Sequence, residues 1–184
     1  FTSGDKLTAR KHLSLPLDKS LIGTAGGLTK MKGIEDLFGA WEVIKEQNDQ
    51  VHLVLAGPTE DMTQLPRDDR VIYLGLLPHK DVVKLFQALD VGVLCIPNDE
   101  FGRYCFPQKA YEMLACKLTI VSAAIGDMKV LLKNQANQLY DTGNHQDLAV
   151  KVLLQLDCND QTNIPILDWR QTIEGLESNL NQLI

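Results

Sequence analysis

Two short segments carry residue types suited to holding a phosphorylated ligand. The first is Ala25-Gly26-Gly27-Leu28-Thr29-Lys30-Met31-Lys32-Gly33, in which a glycine pair is followed within one turn by two lysines. Backbone without side chains lets an anion approach closely. Amides at a following helix start, with the positive end of the helix dipole, face such an anion, and Lys32 adds a full charge on a flexible stem. That combination suits a diphosphate. The alternative is a tight turn with Lys30 and Lys32 merely solvated.

The second segment is Phe106-Pro107-Gln108-Lys109-Ala110-Tyr111-Glu112-Met113-Leu114-Ala115. Pro107 fits the first turn of a helix, where its missing amide hydrogen costs nothing. The amides of Phe106, Gln108 and their neighbours are then candidates for a second phosphate contact. Lys109 falls in the first helical turn, a place unfavourable to a cation unless an anion or acidic side chain compensates it. Glu112 follows three residues later, where a carboxylate can accept two hydrogen bonds from the hydroxyls of a ribose. The alternative is a Lys109–Glu112 pair on a solvated surface.

Other phosphate-binding patterns are not met. The first turn lacks the G-x-G-x-x-G order, and Val51 to Ala56 ends in Gly57-Pro58 without a ribose-binding acid, so a dinucleotide site does not fit. The Walker sequence is also missing. The cysteines Cys95, Cys105, Cys116 and Cys158 lack the close pairing of a zinc site and the density of a disulfide scaffold, so reduced thiols and no metal site are expected.

These segments need a scaffold, and the hydrophobic pattern supplies one. Apolar runs at Leu21 to Gly26, Val51 to Ala56, Val71 to Gly75, Val91 to Cys95 and Leu118 to Ser122 read as strands buried on both faces. Gln138 to Tyr140 is a weaker strand. Helical spacing marks Ile34 to Ile44, Lys80 to Leu89, Pro107 to Cys116, Gln146 to Leu156 and Asp168 to Leu183. Asn98 to Phe106 reads as irregular. The alternation predicts an α/β fold, a Rossmann-like three-layer α/β/α arrangement with a mostly parallel sheet of about six strands. Ligands of such sheets sit at the carboxyl ends of the strands. Residues 1–184 are expected to form one domain, with 1–20 a linker or edge segment and 168–184 a C-terminal helix.

Composition narrows the partners. A net charge of -6 over 184 residues argues against a nucleic-acid surface, which needs a dense positive field. The longest apolar stretch, Val91 to Pro97, is far below the ~20 residues that span a bilayer. No signal peptide is visible, so a cytoplasmic location is expected, with peripheral contact at the inner membrane face left open. The chain begins at Phe1 and is expected to be a piece of something longer.

Taken together, the segments resemble the donor-binding domain of GT-B glycosyltransferases, specifically glycosyltransferase family four. The resemblance covers most of the chain. It rests on Gly26-Gly27-Leu28 with Lys32-Gly33, Leu53 to Gly57, Val71 to Gly75 with Leu77-Pro78, and Asp90 to Leu94. The block from Phe106 to Cys116, Thr119 to Ala123 and the closing Asp168-Trp169 helix complete it.

The resemblance implies a retaining transferase that takes a sugar from a nucleotide diphosphate sugar and needs no metal or other cofactor. By it, Lys32 stabilises the leaving diphosphate, supported by Gly26, Gly27 and the helix start at Phe106, Pro107, Gln108 and Lys109. Glu112 holds the ribose, and backbone around Leu76 and Leu77 meets the base. The acceptor site would belong to an N-terminal domain absent from these residues.

Departures from the family pattern are specific. Gly27 stands where an arginine is common, and Lys30 and Arg103 are the candidates to replace it. Tyr104 stands where a first glutamate is expected, with Glu100 a candidate sugar contact from a longer loop. Lys117 and Thr119 replace a commoner glycine and proline, changes expected to affect stability more than chemistry. Two rivals remain open: a nucleotide-sugar epimerase of the same fold, and a non-catalytic nucleotide-binding or interaction module.

Overall fold

The computed structural model describes residues 1–59, 65–158, 164, 166–167 and 169–181. Six strands form one sheet: β1 (Ser20–Ala25), β2 (Val51–Ala56), β3 (Val71–Tyr73), β4 (Val91–Leu94), β5 (Thr119–Ala123) and β6 (Leu139–Tyr140). Their order is β3-β2-β1-β4-β5-β6 and every pairing is parallel. Leu53, Val54, Val93, Ile120 and Val121 are fully buried, as strands covered on both faces must be. β2 has the bounds of its apolar run, β1, β4, β5 and β6 lie within one residue of theirs at each end, and β3 stops at Tyr73, two residues before the expected Gly75.

The helices are α1 (Lys6–His12), α2 (Ile34–Gln47), α3 (His79–Ala88), α4 (Glu100–Tyr104), α5 (Gln108–Ala115), α6 (Asp127–Leu131), α7 (His145–Cys158) and α8 (Trp169–Asn181). The crossover through α2 runs from β1 outward to β2, whereas the crossover through α3 runs from β3 back to β4. With a constant right-handed crossover the two helices must lie on opposite faces. α7 packs beside α2 and α1 beside α3, giving three layers. Gly39 of α2 permits the first contact, since a Cβ there would run into the His145 ring. No helix among the described residues is long and apolar enough to cross a membrane.

Residues 1–20, expected as a linker or edge segment, contain a helix integral to the fold. α1 is capped by Asp5, whose carboxylate accepts from the Thr8 amide at 2.8 Å. Its anchor is Arg10, only 4% exposed. The guanidinium donates to the carbonyls of Ala88 (2.9 Å) and Lys19 (2.9 Å) and to Asp90 Oδ2 (2.7 Å). Asp90 also accepts from the Leu21 amide at 2.7 Å. A buried cation is tolerated here because a carboxylate and carbonyls satisfy it.

Three further differences concern short elements. The segment expected to be irregular contains α4, five residues capped by Asp99 on the Gly102 amide at 2.7 Å. Pro107 sits at the cap of α5, one position before the expected first turn. After α5, Lys117 adopts φ 58°, and the Lys117 and Leu118 amides close the helix on Leu114 O (2.9 Å) and Met113 O (3.1 Å). Of the expected C-terminal helix, Trp169–Asn181 is helical, while Asp168 and 182–184 lie outside the described residues.

Candidate functional site

The glycine pair emerges at the carboxyl end of β1. Gly26 has φ +118°, a conformation that side chains resist. Its amide donates to Ala56 O at 2.9 Å, and the Gly57 amide donates to Gly75 O at 2.7 Å. A Cβ on Gly57 would run into the Gly26 carbonyl. These contacts lace the ends of β1, β2 and β3 into one rim, and Leu77, half-buried, follows two residues past Gly75 on that rim. Beyond Gly27 the chain makes a 3-10 turn over Lys30–Lys32, and Gly33 at φ 72° starts α2.

Across the rim, β4 delivers Cys95, α4 and then α5. A cavity of about 200 Å³ opens there, walled by Lys32, Cys95, Phe101, Phe106, Gln108 and Lys109 among others, with Pro107 beside them. Two cations therefore face one space. Lys109 reaches over the glycine turn so closely that a Cβ on Gly26 would lie 3.0 Å from its Nζ. Among the described residues neither Lys32 nor Lys109 forms an ion pair. Burial pushes the Lys109 ammonium below its ordinary value; Cys95 and Glu112 oppose this, and the Lys32 charge adds to it. The cavity is thus short of negative charge, a condition that favours an anionic guest.

Glu112 sits one turn along α5, half-buried, and accepts from Gln108 Nε2 at 3.1 Å. It is close enough to Lys109 to act on its charge without pairing with it. Lys32, Lys109 and Glu112 therefore belong to one side of the molecule. Phe106 is exposed and stacks on Tyr111 with centroids 5.0 Å apart. The amides of Gln108 and Ala110 already donate to Phe106 O and Pro107 O at 2.9 Å each. The Lys109 side chain adds a full positive charge at this helix start.

The remaining candidates lie outside the cavity wall. Lys30 is exposed and pairs with Glu35 at 3.3 Å. Arg103 is exposed and lays its guanidinium on Asn98 Oδ1 at 3.1 and 3.0 Å. Glu100 is exposed in the first turn of α4, and Tyr104, where an acid was expected, is 87% exposed.

Two features escaped the sequence reading. Phe101 places its ring under the Lys32 ammonium, 4.4 Å from centroid to Nζ; its only signal was an aromatic residue just past a strand end. Beneath the cavity, Asp36 accepts from Tyr140 Oη (2.9 Å) and the Gly143 amide (3.1 Å). Tyr140 also bonds Cys95, and burial pushes the Cys95 thiol up to about 12, so that wall stays neutral. A larger hollow of about 290 Å³ lies between Asn134–Gln138 and Gln155. Its lining is uncharged, amide side chains and Ala136, with Gln138 donating to Gln155 at 3.2 Å, and it offers no charge to an anion.

The family described as glycosyl transferases group 1 matches residues 5–166 of the chain. D-inositol 3-phosphate glycosyltransferase of Stackebrandtia nassauensis is 27% identical over 79% of this chain and 35% of its own length. The chain spans about a third to a half, 35% to 46%, of the first curated relatives it matches. Among solved structures, the C-terminal domain of a glycosyl transferase group 1 family protein from Francisella tularensis aligns with a TM-score of 0.71 at 19% identity, over 86% of each chain. Anabaena HepE, in complex with UDP and glucose, aligns with a TM-score of 0.67 at 21% identity, over 84% of this chain and 43% of that one.

Proposed function

Because this chain belongs to the glycosyl transferases group 1 family, we propose that it is the donor-binding domain of a retaining glycosyltransferase of family four, acting on a nucleotide diphosphate sugar. One observation carries this reading. Two lysines on different elements, Lys32 and Lys109, face one cavity at the carboxyl edge of a parallel sheet, and among the described residues neither forms an ion pair with a carboxylate. The UDP and glucose held by Anabaena HepE are a ligand of that chemistry.

The chemistry follows from where charge moves. The anomeric C–O bond breaks, its electron pair goes to the diphosphate oxygen, and the sugar carbon becomes oxocarbenium-like. The acceptor hydroxyl oxygen bonds that carbon and loses its proton. Cations fixed beside the departing diphosphate in advance lower the barrier. Lys32 and Lys109 supply them, with no metal ion in the scheme, and Glu112 takes the ribose hydroxyls. The rim near Leu77 takes the base. Gly26 and Gly27 keep the floor open for the phosphates.

The acceptor site belongs to a separate N-terminal domain, so these 184 residues bind donor without transferring sugar. A thermal-shift screen tests the reading, because a ligand bound only by the folded state raises the melting temperature. One of UDP, GDP and ADP, and its sugar derivative, is expected to raise it, with the matching monophosphate weaker. No shift from any of them would reject the reading.

A further inference from the structure

Lys32 is held by an aromatic face. Its ammonium lies 4.4 Å from the centroid of Phe101, whereas Lys30, two residues earlier, takes a carboxylate, Glu35. Phe101 is 57% exposed, so its placement does not come from core burial. It comes from α4. The Asp99 carboxylate caps that helix on the Gly102 amide at 2.7 Å. Gly102 lies so close to the preceding loop that a Cβ there would run into the Pro97 carbonyl. On another side, a Cβ on Gly126 would lie 2.8 Å from the Arg103 carbonyl. The short helix is clamped, and Phe101 with it.

The choice of partner matters for an anion. A carboxylate on Lys32 would neutralise it, and an incoming phosphate would have to displace that carboxylate. An aromatic face attracts an ammonium weakly at an exposed site, while a phosphate makes a stronger charge-assisted hydrogen bond. A lysine with no partner would instead lose more rotamer freedom on binding, and its charge would range over the same cavity as that of Lys109. The ring therefore restrains the ammonium while leaving its charge available.

We propose that Phe101 is a positioning residue for diphosphate capture: its ring holds the Lys32 ammonium apart from Lys109 and releases it when a diphosphate enters the cavity. The proposal rests on the donor-binding reading and adds to it a residue and an exchange of partners. Phe101 acts through Lys32 and takes no part in bond breaking.

The test uses lysine labelled with ¹³C at Cε in the 184-residue chain, with the Lys32 resonance identified through Lys32→Arg. In the free protein that resonance is expected to be shielded by the ring, and Phe101→Leu is expected to remove the shielding. Saturation with whichever of UDP, GDP and ADP binds should also remove it. Phe101→Leu should weaken that binding about two- to fivefold, and Phe101→Trp should retain it. If the nucleotide binds wild type and Phe101→Leu equally while the Lys32 resonance stays shielded at saturation, the exchange is overturned and the donor-binding reading stands. If none of the three binds the wild type, the reading itself fails and the proposal falls with it.

Discussion

The Lys109 ammonium occupies the space directly above Gly26: a Cβ on that glycine would lie 3.0 Å from Nζ. A residue of the first β–α turn and a residue of α5 thus shape one surface from 83 positions apart in the chain. Gly26→Ala is expected to cost about 1–3 kcal/mol, because φ of +118° strains any side chain. It should also displace Lys109. Urea unfolding reads the first effect and nucleotide titration the second; a variant as stable as wild type would show that the turn relaxes freely.

Lys109→Met separates function from stability. A half-buried ammonium that forms no ion pair among the described residues burdens the fold, so removing it is expected to raise stability by about 1 kcal/mol. The same change removes a charge-assisted contact and should weaken diphosphate binding by about tenfold or more. A structural lysine would give the opposite pattern, lower stability with binding unchanged.

The Lys109 pKa gives a pH dependence of definite sign. Burial lowers it in the folded chain below the ordinary 10.5. Between those two values the unfolded chain holds more protons, so the Lys109 contribution to stability rises with pH across that window. Diphosphate affinity should move the other way, falling as pH climbs through the lowered value. Lys109→Arg keeps its proton and should extend binding to higher pH. Urea titrations and calorimetry across the alkaline range check both slopes.

Lys117, exposed, holds φ 58° at the turn where α5 closes on Met113 and Leu114. Lys117→Gly is expected to stabilise the chain by about 1 kcal/mol by relieving left-handed strain. Nucleotide affinity should not change. Chemical denaturation of the variant measures this directly, and a loss of stability would refute the strain.

The sheet was legible because two-sided burial writes strands as continuous apolar runs, as in Val51–Ala56 and Val91–Leu94. α1 was not, because its anchor is Arg10, a charge that periodicity assigns to the surface and only the Asp90 contact explains. α4 and α6 are five residues each, too short to show a helical period. At the site, Lys32 and Lys109 stood out as cations beside glycine or at a helix start. Phe101 and the Asp36–Tyr140 bond did not, since the latter joins positions 104 apart and no local pattern encodes such a pairing. Lys30 and Arg103 drew attention as nearby cations, but Glu35 and Asn98 occupy them.

Calorimetric titration of UDP, GDP and ADP into wild type, Lys32→Ala and Lys109→Met tests most directly whether two ammoniums hold one diphosphate. One nucleotide is expected to bind at a single saturable site, and each substitution should weaken it by about tenfold or more. Silence from all three nucleotides, or a Lys32→Ala chain that binds as tightly as wild type, would contradict it.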